Sequence, residues 1–137
     1  MDKFDIIEQL PSTEAFNQLR ISVGWHELNE KAVDKALNDS IFSVCAFFGK
    51  RVIGMRRIIA DNALYHYIQD LIVLPEFQGK GVGTAILQRI LEFLNTKTSK
   101  GTFVGLVAAK GSDGFFKKYG FIERPNFEFG SAMYKYI

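Results

Sequence analysis

At 137 residues, with 47% hydrophobic side chains and a formal charge of +2, the chain has the size of one domain with a real core. The charge is too mild for the basic stripe that nucleic-acid binding needs, and no apolar run approaches the ~20 residues of a membrane span. A single cysteine, Cys45, excludes an internal disulfide framework, and the charged first eight residues lack a signal-type apolar core, so the expected location is cytoplasmic.

In chain order, Phe4 to Glu8 reads as a first strand, ended by Pro11. Ser12 or Thr13 caps a predicted helix to about Ser22. Asn29 or Glu30 opens a second through Leu37, with Val33, Ala36 and Leu37 on one face. Two β-rich runs, Ile41 to Phe48 and Val52 to Ile59, flank Gly49-Lys50, which predicts a hairpin with glycine first in a type II′ turn. Cys45 falls in the first run and reads as a core residue. Ala60-Asp61-Asn62 turns the chain into a third sheet segment, Tyr65 to Leu74. Then Val82, Ile86, Leu87, Ile90, Leu91 and Leu94 recur at helical spacing, the strongest helix in the chain. Phe103 to Ala108 is a further predicted strand and Asp113 to Tyr119 a short helix capped by Gly120. Phe121 to Glu123 and Met133 to Tyr136 are predicted closing strands. The order β-α-α-β-β-β-α-β-α-β-β defines a mixed α/β arrangement, expected to form one domain over residues 1–137.

Between the third sheet segment and the strong helix lies Gln78-Gly79-Lys80-Gly81-Val82-Gly83, three glycines in five positions. Glycines let backbone N–H groups crowd around a ligand, and a helix start adds unpaired donors and a positive dipole end. The combination predicts phosphate binding. It is not a P-loop, because position 74 is Leu and Lys80 is followed by Gly81 rather than Ser or Thr. It is not a dinucleotide fingerprint either, since the glycines run G-x-G-x-G and not G-x-G-x-x-G.

The pattern Q-x-x-G-x-G at Gln78, Gly81 and Gly83, preceded by V-x-P at Val73 and Pro75, resembles the acetyl-CoA pyrophosphate loop of the GNAT N-acetyltransferase superfamily. Downstream, Gly114-Phe115-Phe116-Lys117-Lys118-Tyr119-Gly120-Phe121 resembles that superfamily's F-Y-x-x-x-G-F signature. The resemblance covers nearly the whole chain, in motif from Tyr65 to Phe121 and in element order before that. It implies a mostly antiparallel central sheet flanked by helices, acetyl-CoA as cosubstrate and no metal. It also implies that the pantetheine arm pairs with the backbone of Leu71, Ile72 and Val73, where that strand splays from the strand beginning at Phe103. The pyrophosphate would rest on N–H groups from Gln78, Gly79, Lys80, Gly81, Val82, Gly83 and Thr84. Phe116 stands where relatives carry a tyrosine that protonates the departing thiolate, and is expected to pack near the cofactor sulfur. Tyr119, three residues on, is either a replacement acid or a packed residue beside Gly120. Ala109 stands where the family often has a cofactor-binding asparagine.

On the strand before the glycine loop, alternation puts Tyr67 and Gln69 on one face and His66, Ile68 and Asp70 on the other. By resemblance, 67 and 69 are positions at which relatives carry a carboxylate or histidine base. Tyr67 and Gln69 are poor bases at neutral pH, so Tyr67 is expected either to position a water or donate a hydrogen bond, or else only to pack or touch substrate. His66 and Asp70 are expected to be satisfied structural residues, His66 on a face packed against helices. Without a base, a lysine-like amine of pKa ~10.4 is neutral about once in a thousand at pH 7.4, a handicap near 4 kcal/mol. An α-amine of pKa ~7.7–8.0 loses less than tenfold. The expected acceptor is therefore a small molecule with a low-pKa primary amine, such as an amino acid, or a small arylalkylamine-like compound. Trp25 is a candidate aromatic wall of its pocket. Arg56, Arg57, Arg124 and Asn126 are candidates to hold an acceptor carboxylate. His26, His66 and Cys45 show no metal-ligand spacing. No nucleophile for a covalent acetyl-enzyme is evident, so direct transfer in a ternary complex is expected. The alternatives are a catalytically weak acyl-CoA sensor and an enzyme that acetylates a protein. Exposed strand ends are compatible with a homodimer.

Overall fold

The computed structural model describes residues 3–137, except for the side chains of Asp70 and Leu71. Its elements are β1 (Asp5–Ile7), α1 (Thr13–Ser22), α2 (Glu30–Asn38), β2 (Phe42–Phe48), β3 (Arg51–Ala60), β4 (Tyr65–Val73), α3 (Val82–Lys97), β5 (Phe103–Leu106) and α4 (Asp113–Lys117). They fall into two compact units, one ending at Leu106 and the other Val107–Ile137.

The first unit is built around the β2–β3 hairpin. Phe48 pairs with Arg51, leaving the two-residue loop Gly49-Lys50. Gly49 has φ 61° and Lys50, like every described non-glycine residue except Asn62, has a negative φ, which is the predicted type II′ pattern. The sheet runs in chain order, β1-β2-β3-β4-β5, antiparallel except for the parallel β4–β5 pair. A parallel pair needs a long crossover, and α3 supplies it.

Helices cover both faces of this sheet. On one face Phe42 stacks on Phe93 of α3, with ring centroids 4.1 Å apart. On the other, Arg57 donates from Nη1 to the Ala36 carbonyl and to Ser40 Oγ, at the end of α2. Val44, Cys45, Ile53, Met55, Ile58 and Ile68 are consequently almost wholly buried on both sides of the sheet. Double coverage explains why these strands read as apolar runs rather than clean alternation. Ser12 caps α1 by accepting from the Ala15 N–H, and Asn29 caps α2 by accepting from the Ala32 N–H. α3 lays Val82, Ile86, Leu87, Ile90 and Leu94 on the sheet. Each such side chain contributes roughly 1.5–3 kcal/mol of burial.

The second unit corrects one expectation. Phe121 to Glu123 and Met133 to Tyr136 form no strands among the described residues, and the segment after α4 is irregular. Alternation cannot supply a ladder partner, and an isolated extended segment has none. Local bonds organise this region instead. Asn126 Oδ1 accepts from the N–H groups of Glu128 and Phe129, its Nδ2 donates to the Glu123 carbonyl, and Arg124 Nε donates to the Gly130 carbonyl. Asn126, a predicted acceptor contact, thus has its side-chain amide committed to a turn. Gly120, at φ 89°, terminates the α4 segment as expected.

Candidate functional site

β4 and β5 pair only from Tyr65 opposite Phe103 to Ile68 opposite Leu106. At Ile72 and Val73, beyond that pairing, β4 has no strand partner on its β5 side among the described residues. On its other side, β3 follows it through an irregular register. Arg57 faces Gln69 and Met55 faces Ile72, so two β4 residues, Asp70 and Leu71, stand against Arg56 alone. Such a bulge bends and twists a strand. The bend lies where the β4–β5 pairing stops.

Register also fixes where the Val73 backbone points. The Leu74 N–H donates to the Ile53 carbonyl at 2.8 Å. In an antiparallel ladder, hydrogen-bonded and non-hydrogen-bonded pairs alternate. The next pair, Gly54 and Val73, is therefore non-hydrogen-bonded, and Val73 directs its N–H and C=O away from β3, toward the open side. Gln78 reaches back to this edge and donates from Nε2 to the Val73 carbonyl at 2.9 Å.

A single 3-10 turn, Pro75–Phe77, leads from β4 into the glycine segment. Gly79 has φ 74° and Gly81 φ 87°, left-handed values that cost a residue with Cβ about 1–2 kcal/mol. A Cβ at either position would meet nothing within 4 Å, so backbone angle is what these positions demand. Gly81 is the α3 N-cap, with no side-chain capping bond and no acidic residue in the first turn. The first helical bond runs from the Ala85 N–H to the Gly81 carbonyl, leaving the N–H groups of the preceding turn without helical acceptors. Gln78 is the exception to the predicted donor set, because its N–H already donates to the Pro75 carbonyl. The donors run from Gly79 to Thr84, with exposed Lys80 beside them.

Tyr67 and Gln69 are both half-buried. Gln69 faces Arg57, so this pair of residues shares the face covered by α2. Arg56, one residue along β3, points to the opposite face and is 3% exposed. The structure therefore sets Arg56 on the α3 side, away from Tyr67 and Gln69. His66 is 5% exposed and also on the α3 face, as expected, but its Nδ1 finds no hydrogen-bond partner among the described residues. Trp25 follows Gly24 in the turn after α1, half-exposed with the Arg20 guanidinium 5.2 Å from its ring centroid. It does not line the open cleft of about 760 Å³ that Glu14, Asn17, Ile21, Glu27 and Leu28 form between α1 and α2.

In the second unit, Phe116 is buried against the edges of Phe115 and Phe121, with centroids 5.1 and 6.1 Å away. Tyr119 packs its ring edge on Phe115 at 5.5 Å. The Gln78 bridge was not legible in the sequence, since a glutamine beside glycines gives no sign of which carbonyl it will find.

Comparison with known proteins identifies the class. The chain matches the Acetyltransferase (GNAT) domain family over residues 13–132. It belongs to this family of acetyl-transferring enzymes. It is 30% identical over 113 residues to the uncharacterised N-acetyltransferase ycf52 of Pyropia yezoensis, covering 80% of this chain and 64% of the relative. It is 26% identical to the chloroplastic serotonin N-acetyltransferase 2 of Oryza sativa subsp. japonica, covering 88% of this chain and 62% of that protein. The chain thus spans a little under two-thirds of the length of these relatives. A solved structure of a probable acetyltransferase of unknown function from meticillin-resistant Staphylococcus aureus superposes with a TM-score of 0.87. It is 28% identical, with 98% of this chain and 100% of that one covered. The architecture expected from the sequence is therefore that of the family.

Proposed function

We propose that the protein transfers acetyl from acetyl-CoA to the primary amine of a small molecule, directly, in a ternary complex. The observation that carries this reading is the conjunction at the end of β4. The strand edge at Ile72 and Val73, past the last β5 pair, runs into a glycine turn whose N–H groups lack helical acceptors among the described residues. The residues fit the cosubstrate. Gly79 to Thr84 would hold the pyrophosphate on backbone donors and the helix dipole. Leu71 to Val73 would pair with the amide-bearing arm as one more strand, and Gln78 keeps the turn tied to that edge. Phe116 is the residue we assign to the neighbourhood of the thioester sulfur.

When bound, acetyl-CoA supplies an activated acyl group. The transfer forms a C–N bond, breaks a C–S bond and sends the amine's proton finally to the sulfur. Tyr67 and Gln69 orient the acceptor and its proton but are not strong bases. Tyr119 is the hydroxyl we assign as the acid, since that of Ser112 donates to the Ala109 carbonyl. Positioning carries the rate, and it works best for an amine already neutral at working pH. The acceptor is accordingly an amine less basic than lysine's, such as the α-amine of an amino acid; a small arylalkylamine, nearly as basic as lysine, is the second arm. The relative named for serotonin acetylation supports the second arm.

The test is acetyl-CoA turnover, read as free-thiol release, across amino acids, arylalkylamines, polyamines and aminoglycosides. Turnover on α-amines or arylalkylamines is expected. A clear preference for polyamines or lysine ε-amines overturns the acceptor class. Tight acetyl-CoA binding without turnover on any small amine points to a sensor or a protein acceptor.

A further inference from the structure

Beyond β4's bulge, the face that carries Tyr67 ends in an open row of aromatic rings. Tyr65 and Phe103 are register partners across the parallel β4–β5 pair, and Tyr67 and Gly105 form the pair two residues further on. Partners and alternate residues share a face, so Tyr65, Phe103, Tyr67 and Gly105 lie together. Their environments differ. Tyr67 is half-buried, whereas Tyr65 is 59% and Phe103 51% exposed. The two exposed rings touch at 5.6 Å between centroids, tilted by 51°. Ile59, which pairs with Tyr67 from β3, is 40% exposed and continues the apolar surface.

The ring of Phe103 is held toward Tyr67 by what is missing at position 105. A Cβ on Gly105 would come within 2.8 Å of Phe103 Cε1, so the ring occupies the place a side chain at 105 would take. The Tyr65 backbone is pinned as well. Its N–H donates to Asp61 Oδ1, and its carbonyl accepts from the Asp61 N–H.

We propose that Tyr65 and Phe103 form an aryl-binding platform that selects acceptors carrying an aromatic ring two carbons from the reacting amine. This rests on the acetyltransferase reading above. Alternate residues on one strand face are about 7 Å apart. An amine presented at Tyr67 thus places a ring joined by a two-carbon chain at the Tyr65 and Phe103 row. Ring-on-ring contact there favours an aromatic acceptor over an aliphatic one of matched branching. Two sources share this chemistry, an aromatic α-amino acid and an arylalkylamine.

The experiment compares kcat/KM for two matched pairs, phenylalanine against leucine and 2-phenylethylamine against 3-methylbutylamine, in the wild type and in Phe103→Leu and Tyr65→Leu. The aromatic member of at least one pair is expected to be favoured at least tenfold. Which pair shows it identifies the source. Each variant is expected to bring that ratio close to one while the melting temperature stays within about 3 °C of wild type and the KM for acetyl-CoA within twofold. Turnover with an aromatic-to-aliphatic ratio near one in the wild type, or a ratio that survives both substitutions, overturns the platform and leaves the acetyltransferase reading standing. No thiol release with any of the four amines, although acetyl-CoA binds, overturns the small-amine reading and the platform with it.

Discussion

Gln78 and Cys45 show how differently two side chains can serve one fold. Gln78 holds the glycine turn against Val73 through one exposed amide bond. A hydrogen bond of this kind contributes about 1 kcal/mol. Gln78→Leu is therefore expected to raise the KM for acetyl-CoA about fivefold, with little change in melting temperature. Steady-state kinetics beside a thermal melt checks it. Cys45 lies in the core with its Sγ donating to the Gln9 carbonyl, and burial pushes the thiol up to about 12. Only about one in ten thousand is thiolate at pH 8, so the native protein should resist iodoacetamide, whereas the urea-unfolded chain should react fully. Mass spectrometry of both samples decides this. Asp61 supplies a pH test. Backbone N–H groups of Tyr65, Ala63 and Leu64 bond its carboxylate and hold its pKa below the usual range. A carboxyl depressed on folding stabilises fully above its unfolded pKa of about 3.9 and loses that contribution as pH falls through the folded value. Asp61→Ala should be less stable than wild type at pH 7, and the gap should narrow in urea titrations as the pH falls below the unfolded carboxyl value of about 3.9.

Among the elements, the contact of α3 with the sheet depends on Gly54. A Cβ there would lie 3.1 Å from both the Ile72 carbonyl oxygen and Ile86 Cδ1. Backbone on one side and a packed helix on the other leave no easy retreat, so Gly54→Ala is expected to cost about 1–3 kcal/mol. A melting temperature unchanged within 1 °C would contradict that packing. The helices, the hairpin and the glycine turn were legible because each carries a local signal, in periodicity, cap residues or positive-φ glycine. Ser12, Asn29, Gly49 and Gly81 all act as their residue types predict. The closing strands were not, because Met133 to Tyr136 alternates as a strand should and pairing is a long-range property. Site geometry divides the same way. The glycine turn with its unspent N–H groups was readable from its glycines, while Arg56 and Arg57 look alike in sequence and point to opposite faces of β3.

At the scale of the molecule, the first unit brings together a strand edge lacking a partner, a turn rich in unspent N–H groups and a face bearing Tyr67 and Gln69. No helix among the described residues is long and apolar enough to cross a membrane. The central claim is direct acetyl transfer to a small amine at the end of β4. Two-substrate initial-rate kinetics tests it most directly, with acetyl-CoA and an accepted amine both varied and thiol release followed. The account predicts turnover with intersecting double-reciprocal lines and no acetylated protein in the absence of amine. Parallel lines with a trapped acetyl-enzyme, or acetyl-CoA that binds but is never turned over, would contradict it.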